Sequence, residues 1–253
     1  MDLKLENKIV IVTGGTGNIG EYICKAFLEE KAIVVCAYLN KIVKIKQIQK
    51  WMEEKGIQAE NLLPVRADLT LPEEAETIIA GALNSFGKID VLVNCAGTLK
   101  EINFLMMEEE DFEKVWTINF ASLARFTKLA LPSMMQARSG SIINISSVLG
   151  TRFGRGAIAY AASKAAVDRF TQSLALEVGK KGVRVNAVCP GIINIGMATK
   201  IIRSKGDNIL DSTPLKRYGK ANDVAKAVLF LASEETASFI TGHKLFVDGG
   251  ISL

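Results

Sequence analysis

The sequence predicts an α/β fold, a parallel sheet covered by helices on both faces, and three observations carry that prediction. Short apolar runs alternate with helix-like segments along the whole chain, the pattern of strands buried between crossover helices. A glycine-rich turn separates the first apolar run from the first helix-like segment. No Pro/Ser-rich linker or low-complexity block interrupts the alternation, so one domain over residues 1–253 is expected.

The first run, Lys8-Ile9-Val10-Ile11-Val12, ends at Thr13-Gly14-Gly15 and reads as a buried parallel strand. Gly15-Thr16-Gly17-Asn18-Ile19-Gly20 then spells G-x-G-x-x-G ahead of a helix expected over about 18–30. Glycines let the backbone approach a pyrophosphate, and a helix N-terminus offers unpaired N–H groups and a favourable dipole. The strand–turn–helix setting favours a dinucleotide site over an ordinary glycine turn. Further strands are expected at 33–37, 62–65, 90–93, 141–145, 183–188 and 244–247. Helices are expected near 41–55, 72–86, 108–136, 158–180 and 221–233.

In such sheets ligands bind beyond the carboxyl ends of the strands. Small polar residues collect there: Asp68 after strand three, Asn94-Cys95-Ala96-Gly97 after four, Ser146-Ser147 after five and Pro190-Gly191 after six. Tyr160 and Lys164 lie four apart on the helix expected at 158–180, so phenol and ammonium share one face. A free phenol titrates near ~10, and a neighbouring cation brings it toward the working range. Ser147 offers a hydroxyl to polarise a carbonyl or position an alcohol. A lone Tyr-x-x-x-Lys is more often a surface pair; the polar cluster at the strand ends tips this one toward chemistry.

Exclusion tips it further. The net charge of +4 comes without a dense Lys/Arg block, so no nucleic acid is implied. Residues 41–50 interleave Ile42, Ile45 and Ile48 at helical spacing and read as the solvated face of a core helix. The four cysteines, Cys24, Cys36, Cys95 and Cys189, form no C-x-x-C and read as buried free thiols of a reducing compartment. No secretory h-region and no apolar run of ~20 residues is present, so a soluble cytoplasmic protein is expected, with no membrane contact. The single histidine, His243, precedes the last strand; with no G-x-S-x-G, a Ser-His-Asp hydrolase is poorly supported. No grouping has zinc spacing, so no metal is expected. Tyr, Lys, Ser, Asn and a bound cofactor remain.

Thr13-Gly14…Gly20, Asn94-Cys95-Ala96-Gly97, Asn119, Ser147, Tyr160-x-x-x-Lys164, Pro190-Gly191 and Phe246-Val247-Asp248-Gly249-Gly250 occur in that order. Together they resemble the short-chain dehydrogenase/reductase family over essentially the whole chain. The resemblance implies a single-domain Rossmann-like doubly wound sheet, a nicotinamide cofactor, and interconversion of a carbonyl and an alcohol by hydride transfer. It implies Tyr160 as proton donor or acceptor and Ser147 as holder of the substrate oxygen. Lys164 would bind the nicotinamide ribose and lower the Tyr160 pKa, and Asn119 would hold a water linking Lys164 to solvent. The cofactor contacts it implies are Gly14, Thr16, Gly17, Asn18, Ile19 and Gly20, then Tyr38 and Leu39, Asp68 and Leu69, Asn94, Ala96 and Gly97. Tyr160, Lys164, Pro190, Gly191 and Ile193 complete that set.

Within the family, residues 139–148, 227–233 and 238–242 are most similar to the 3-oxoacyl-[acyl-carrier-protein] reductase group. Arg138 and Lys181 fall where that group meets an acidic acyl carrier protein, and read equally as solvated charges at helix ends. A small-molecule ketone or sugar-alcohol dehydrogenase, or a non-catalytic dinucleotide-binding protein, are the alternatives. A homotetramer is implied, as is a lid near 192–215, where Met197 to Thr213 mixes isoleucines with Lys200, Arg203, Lys205 and Asp207.

Two positions depart from the family pattern: Asn18 stands where glycine is usual, and Ile195 where a threonine meets the carboxamide. Tyr38-Leu39-Asn40-Lys41 after strand two holds no carboxylate to repel a 2′-phosphate, and Lys41 or Lys44 could reach one. NADP(H) is therefore expected over NAD(H).

Overall fold

Strands buried on both faces call for mostly apolar side chains, and β1 (Ile9–Thr13), β5 (Gly140–Ile145) and β6 (Val183–Pro190) are buried throughout, with Thr13, Ser141, Asn144, Arg184 and Asn186 as hydrogen-bonded polar members. The computed structural model describes residues 2–152, 154–196, 198–199, 202 and 209–253. With β2 (Ile33–Tyr38), β3 (Leu62–Arg66), β4 (Val91–Asn94) and β7 (Lys244–Val247) these strands form one seven-stranded sheet. Its order is β3-β2-β1-β4-β5-β6-β7, every pairing parallel. The expected doubly wound sheet is what the chain forms. The order reverses between β1 and β4, where such sheets open a crevice at their carboxyl edge.

Alternation along each strand divides the core in two. Val10, Val12, Val34 and Cys36 pack beneath α1 (Gly20–Glu29), α2 (Ile42–Lys55) and α7 (Ala221–Ala232). Ile11, Val35, Leu92 and Ile142 face α3 (Pro72–Phe86), α5 (Ser122–Ala137) and α6 (Ile158–Val178). Each fully buried aliphatic side chain contributes about 1.5–3 kcal/mol. Local signals set the helix ends: Pro72, Glu73 and Glu74 open α3, and left-handed Gly87 closes it. The short α8 (Glu234–Ala237) follows α7. Among the described residues no helix is long and apolar enough to cross a membrane.

One expectation needs correction. The helix expected over 108–136 is α4 (Glu109–Trp116), a π-turn over Thr117–Ala121, and then α5. The wider turn inserts a residue into the helical register, and Asn119 sits inside it. In the expected lid, Met197, Lys200, Ile201 and residues 203–208, including Arg203, Lys205 and Asp207, lie outside the described residues.

Candidate active site

The turn after β1 is packed backbone against backbone. Gly17 N–H donates to the Gly14 carbonyl at 2.8 Å, and a Cβ on Gly20 would strike that same carbonyl. Gly14 has φ +66°, and a Cβ there would lie 2.8 Å from Ala96 Cα. Thr13 Oγ1 accepts from Cys95 N (3.0 Å) and Ala96 N (3.2 Å), which ties the ends of β1 and β4 together. No side chain caps α1; Glu21 N–H donates to the Gly17 carbonyl and Tyr22 and Ile23 N–H to the Ile19 carbonyl, so the donors open to a ligand are those of the turn before Glu21. That cradle fits a pyrophosphate. Asn18 lies against Gly196 in the loop after β6, where an added Cβ would overlap its carboxamide.

Tyr160 and Lys164 sit in the first two turns of α6. Lys164 is buried, its Nζ donates to the Ile145 carbonyl at 2.7 Å, and it lies 5.6 Å from the centre of the Tyr160 ring. Ser146 Oγ donates to the Lys164 carbonyl, which ties α6 to the end of β5. Ser147, two residues past that strand, stands close enough to the Tyr160 phenol to lower it, and accepts from Leu149 N. Asn119 is buried; its Oδ1 accepts from Thr98 N (2.8 Å) and its Nδ2 donates to Thr98 O and to Ser163 Oγ, both at 3.0 Å. Ser163 in turn donates to the Tyr160 carbonyl at 2.7 Å. A Cβ on Gly97 would sit 3.5 Å from Asn119 Oδ1 and 3.7 Å from Lys164 Nζ, so this glycine leaves open the space beside the ammonium.

Electrostatics departs from the expectation at Tyr160. Burial raises the phenol, and the nearby Ser147 hydroxyl only partly offsets it. Burial likewise lowers the Lys164 ammonium to about 8, against the pull of Cys95, Asp168 and Cys189. The phenol is therefore raised, not lowered as the resemblance implied, because desolvation outweighs the one lowering influence, the Ser147 hydroxyl. Tyr160 holds its proton at neutral pH, the state a proton donor needs.

Several expected cofactor residues point elsewhere. Asn94 donates to Thr127 Oγ1 (3.1 Å) and Asn144 Oδ1 (2.9 Å) in the core, and its own Oδ1 has no partner. Its side chain braces β4 against β5 and α5. The Asp68 carboxylate accepts from Thr70 N (3.0 Å) and Thr70 Oγ1 (2.7 Å), which hold it below the usual carboxylate range. Leu69 gives its carbonyl to Arg125. Lys44 is not free: its Nζ lies 2.7 Å from Glu21 Oε2. Ile195 packs on the core beside buried Ile193. Gly191 adjoins Asp248, where a Cβ would come within 2.8 Å of the backbone. His243 donates its N–H to Asn186 and its side chain is exposed.

Arg138 and Lys181 lie at the amino ends of β5 and β6, opposite the end that carries Ser147. Arg138 Nη2 donates to the Lys180 carbonyl at 3.2 Å, and the pair precede β5 and β6, whereas Ser147 follows β5. Sequence reasoning missed the clamps made by Thr98 and Ser163, because neither carries reactive chemistry. It also missed Arg66, which donates Nε–H to the Leu39 carbonyl at 3.1 Å.

Known proteins share this arrangement of chain. The family model described as Enoyl-(Acyl carrier protein) reductase matches residues 15–252. The 3-oxoacyl-[acyl-carrier-protein] reductase FabG of Thermotoga maritima is 33% identical over 249 residues, 98% of this chain and 99% of the relative. The protein of the same name from Chlamydia trachomatis is 37% identical over 248 residues, 98% of each chain. The crystal structure of gox2181 superposes with a TM-score of 0.92 at 31% identity, covering 99% of this chain and 98% of that one.

Proposed function

The chain belongs to the short-chain dehydrogenase/reductase family of NAD(P)-dependent oxidoreductases, and on that premise we propose that it reduces the ketone of a 3-oxoacyl thioester with NADPH. The nicotinamide, when bound, supplies a hydride to the carbonyl carbon or takes one back. Tyr160 gives its proton to the carbonyl oxygen, and Ser147, beside the phenol, stabilises the charge developing there. Lys164 holds the ribose and keeps a positive charge behind Tyr160 below about pH 8. Both amide hydrogens of Asn119 are spent on Thr98 and Ser163, so its acceptors hold the water that relays protons to Lys164. The glycine turn takes the pyrophosphate, and the segment at 192–215 closes over the substrate as a lid on a single domain.

The observation that carries this reading is the buried Lys164 ammonium, held by the Ile145 carbonyl 5.6 Å from the centre of the Tyr160 ring, with Ser147 beside the phenol. The test is NADPH oxidation against carrier-bound 3-oxoacyl thioesters, small 3-oxoesters, simple ketones and keto sugars. Oxidation with no carbonyl compound would overturn the reading and leave a dinucleotide-binding protein.

A second reading, a small-molecule ketone or sugar-alcohol dehydrogenase, is favoured by the place of Arg138 and Lys181. The six residues of β5, at ~3.3 Å each, put about 20 Å of sheet between that pair and Tyr160. Within one chain, an acidic carrier docked there reaches the crevice only through an arm of that length. In the homotetramer we propose, a carrier on one protomer serves a neighbour's site instead. Support for association is an open apolar groove of about 350 Å³ between α5 and α6, lined by Leu131, Pro132, Met135, Phe170 and Leu174. Four free cysteines suit a reducing cytoplasm.

A further inference from the structure

In dinucleotide folds the adenine ribose is met about 20 residues beyond the glycine turn, by a carboxylate that accepts from its hydroxyls or by an arginine that takes a 2′-phosphate. Here that place is the end of β2, where buried Tyr38 is followed by exposed Leu39, Asn40 and Lys41. No carboxylate stands in this turn or in the first turn of α2. The sequence offers two lysines for a phosphate, and the structure removes one of them. Lys44 is committed to Glu21, which is buried and also takes Lys25 at 2.8 Å. Burial pushes the Glu21 carboxyl up, but the two lysines beside it more than offset that and hold it below its usual range.

The neighbouring strand supplies the cation instead. Arg66 ends β3 in register with Tyr38, and its Nε–H donates to the Leu39 carbonyl at 3.1 Å. That bond fixes one edge of the guanidinium to the backbone of the ribose turn. Among the described residues no carboxylate forms an ion pair with Arg66. Asp68, two residues on, is turned onto Thr70. The terminal nitrogens thus form a planar donor fork beside the ribose position, the geometry that suits a phosphate.

We infer that Arg66 selects the cofactor, binding the 2′-phosphate of NADP(H) across the turn after β2. This rests on the reading of the crevice as a nicotinamide-dinucleotide site, and deepens its preference for NADP(H). The residue is exposed and lies at a strand end, so its replacement leaves the core intact.

The test is calorimetric titration of the full chain with adenosine 2′,5′-bisphosphate and with 5′-AMP, which differ only in the 2′-phosphate. Wild type should bind the bisphosphate more tightly. Arg66→Ala should weaken the bisphosphate about 10- to 100-fold, the range of charge-assisted hydrogen bonds, and leave 5′-AMP within about twofold. Arg66→Lys should keep part of the preference, and Lys41→Ala should change it by less than about threefold. A bisphosphate preference that survives Arg66→Ala, or that falls instead with Lys41→Ala, overturns the assignment while NADP(H) stands. Equal loss for both nucleotides makes Arg66 a brace of the turn and overturns it too. A wild type that binds the two equally overturns the NADP(H) preference itself, and binding of neither overturns the dinucleotide reading.

Discussion

At the Tyr160 end of the crevice, Ser147, Asn119, Ser163 and Lys164 are held by hydrogen bonds that link the loop after β4, the π-turn, the end of β5 and α6. At the Arg66 end, one bond to the Leu39 carbonyl holds an exposed side chain between two strand ends. Proton transfer demands groups fixed to within a fraction of an ångström. Reading a phosphate demands charge and a rough direction. The difference teaches that the reacting end tolerates little change, while the ribose end is open to variation without loss of the fold.

The comparison breaks most visibly at Tyr160. Tyr160→Phe should lower the rate of carbonyl reduction by about 10²–10⁴-fold, the span of a lost general acid. Cofactor affinity, followed by fluorescence titration, should stay within about twofold. Retained turnover within a few-fold of wild type would remove Tyr160 from the chemistry.

Asn119→Ala removes three hydrogen bonds, the one to Ser163 buried, and leaves the Thr98 N–H and carbonyl without their partner, while Ser163 keeps its bond to the Tyr160 carbonyl. Stability by urea denaturation should fall by about 2–3 kcal/mol, with a loss of turnover on top. A turnover loss with no change in stability would show that the clamp does not brace the π-turn.

The pH profile tests the electrostatics. Lys164, lowered to about 8, is cationic below that pH and neutral above it. Its charge is therefore present on the acid side and lost as pH rises. Reductive kcat/KM should hold below about pH 8 and fall about tenfold per unit above it. Lys164→Arg, which stays charged, should remove that fall even if the absolute rate drops. An unchanged alkaline limb in this variant would assign the limb to another group.

The smallest effect belongs to the open end. Leu39→Asp should place a carboxylate in the ribose turn, repel the 2′-phosphate and accept from the ribose hydroxyls. Steady-state preference should shift toward NADH by about tenfold, with the rate on saturating NADPH little altered. A variant that keeps its NADPH preference would place the ribose away from this turn.

What the sequence by itself determined was local. The glycine turn was legible because Gly14, Gly17 and Gly20 allow a close backbone approach that side chains would block, a property of residues adjacent in the chain. The strand order of chemistry was legible because polar residues interrupt apolar runs at the carboxyl ends, and Tyr160 and Lys164 share a face by helical spacing alone. What only the tertiary structure decided depends on groups far apart in sequence. The helix expected over 108–136 keeps an unbroken helical pattern. Its π-turn accompanies the tie of Asn119 to Thr98 and Ser163, 21 and 44 residues away. The Asn94 side chain turned into the core because Asn144 and Thr127 take its amide. Lys44 left the phosphate turn because Glu21 holds it, and Arg66 entered because parallel pairing sets β3 beside β2. The Tyr160 phenol rose where a nearby cation promised a fall, because desolvation is set by everything packed around a group and by no residue spacing.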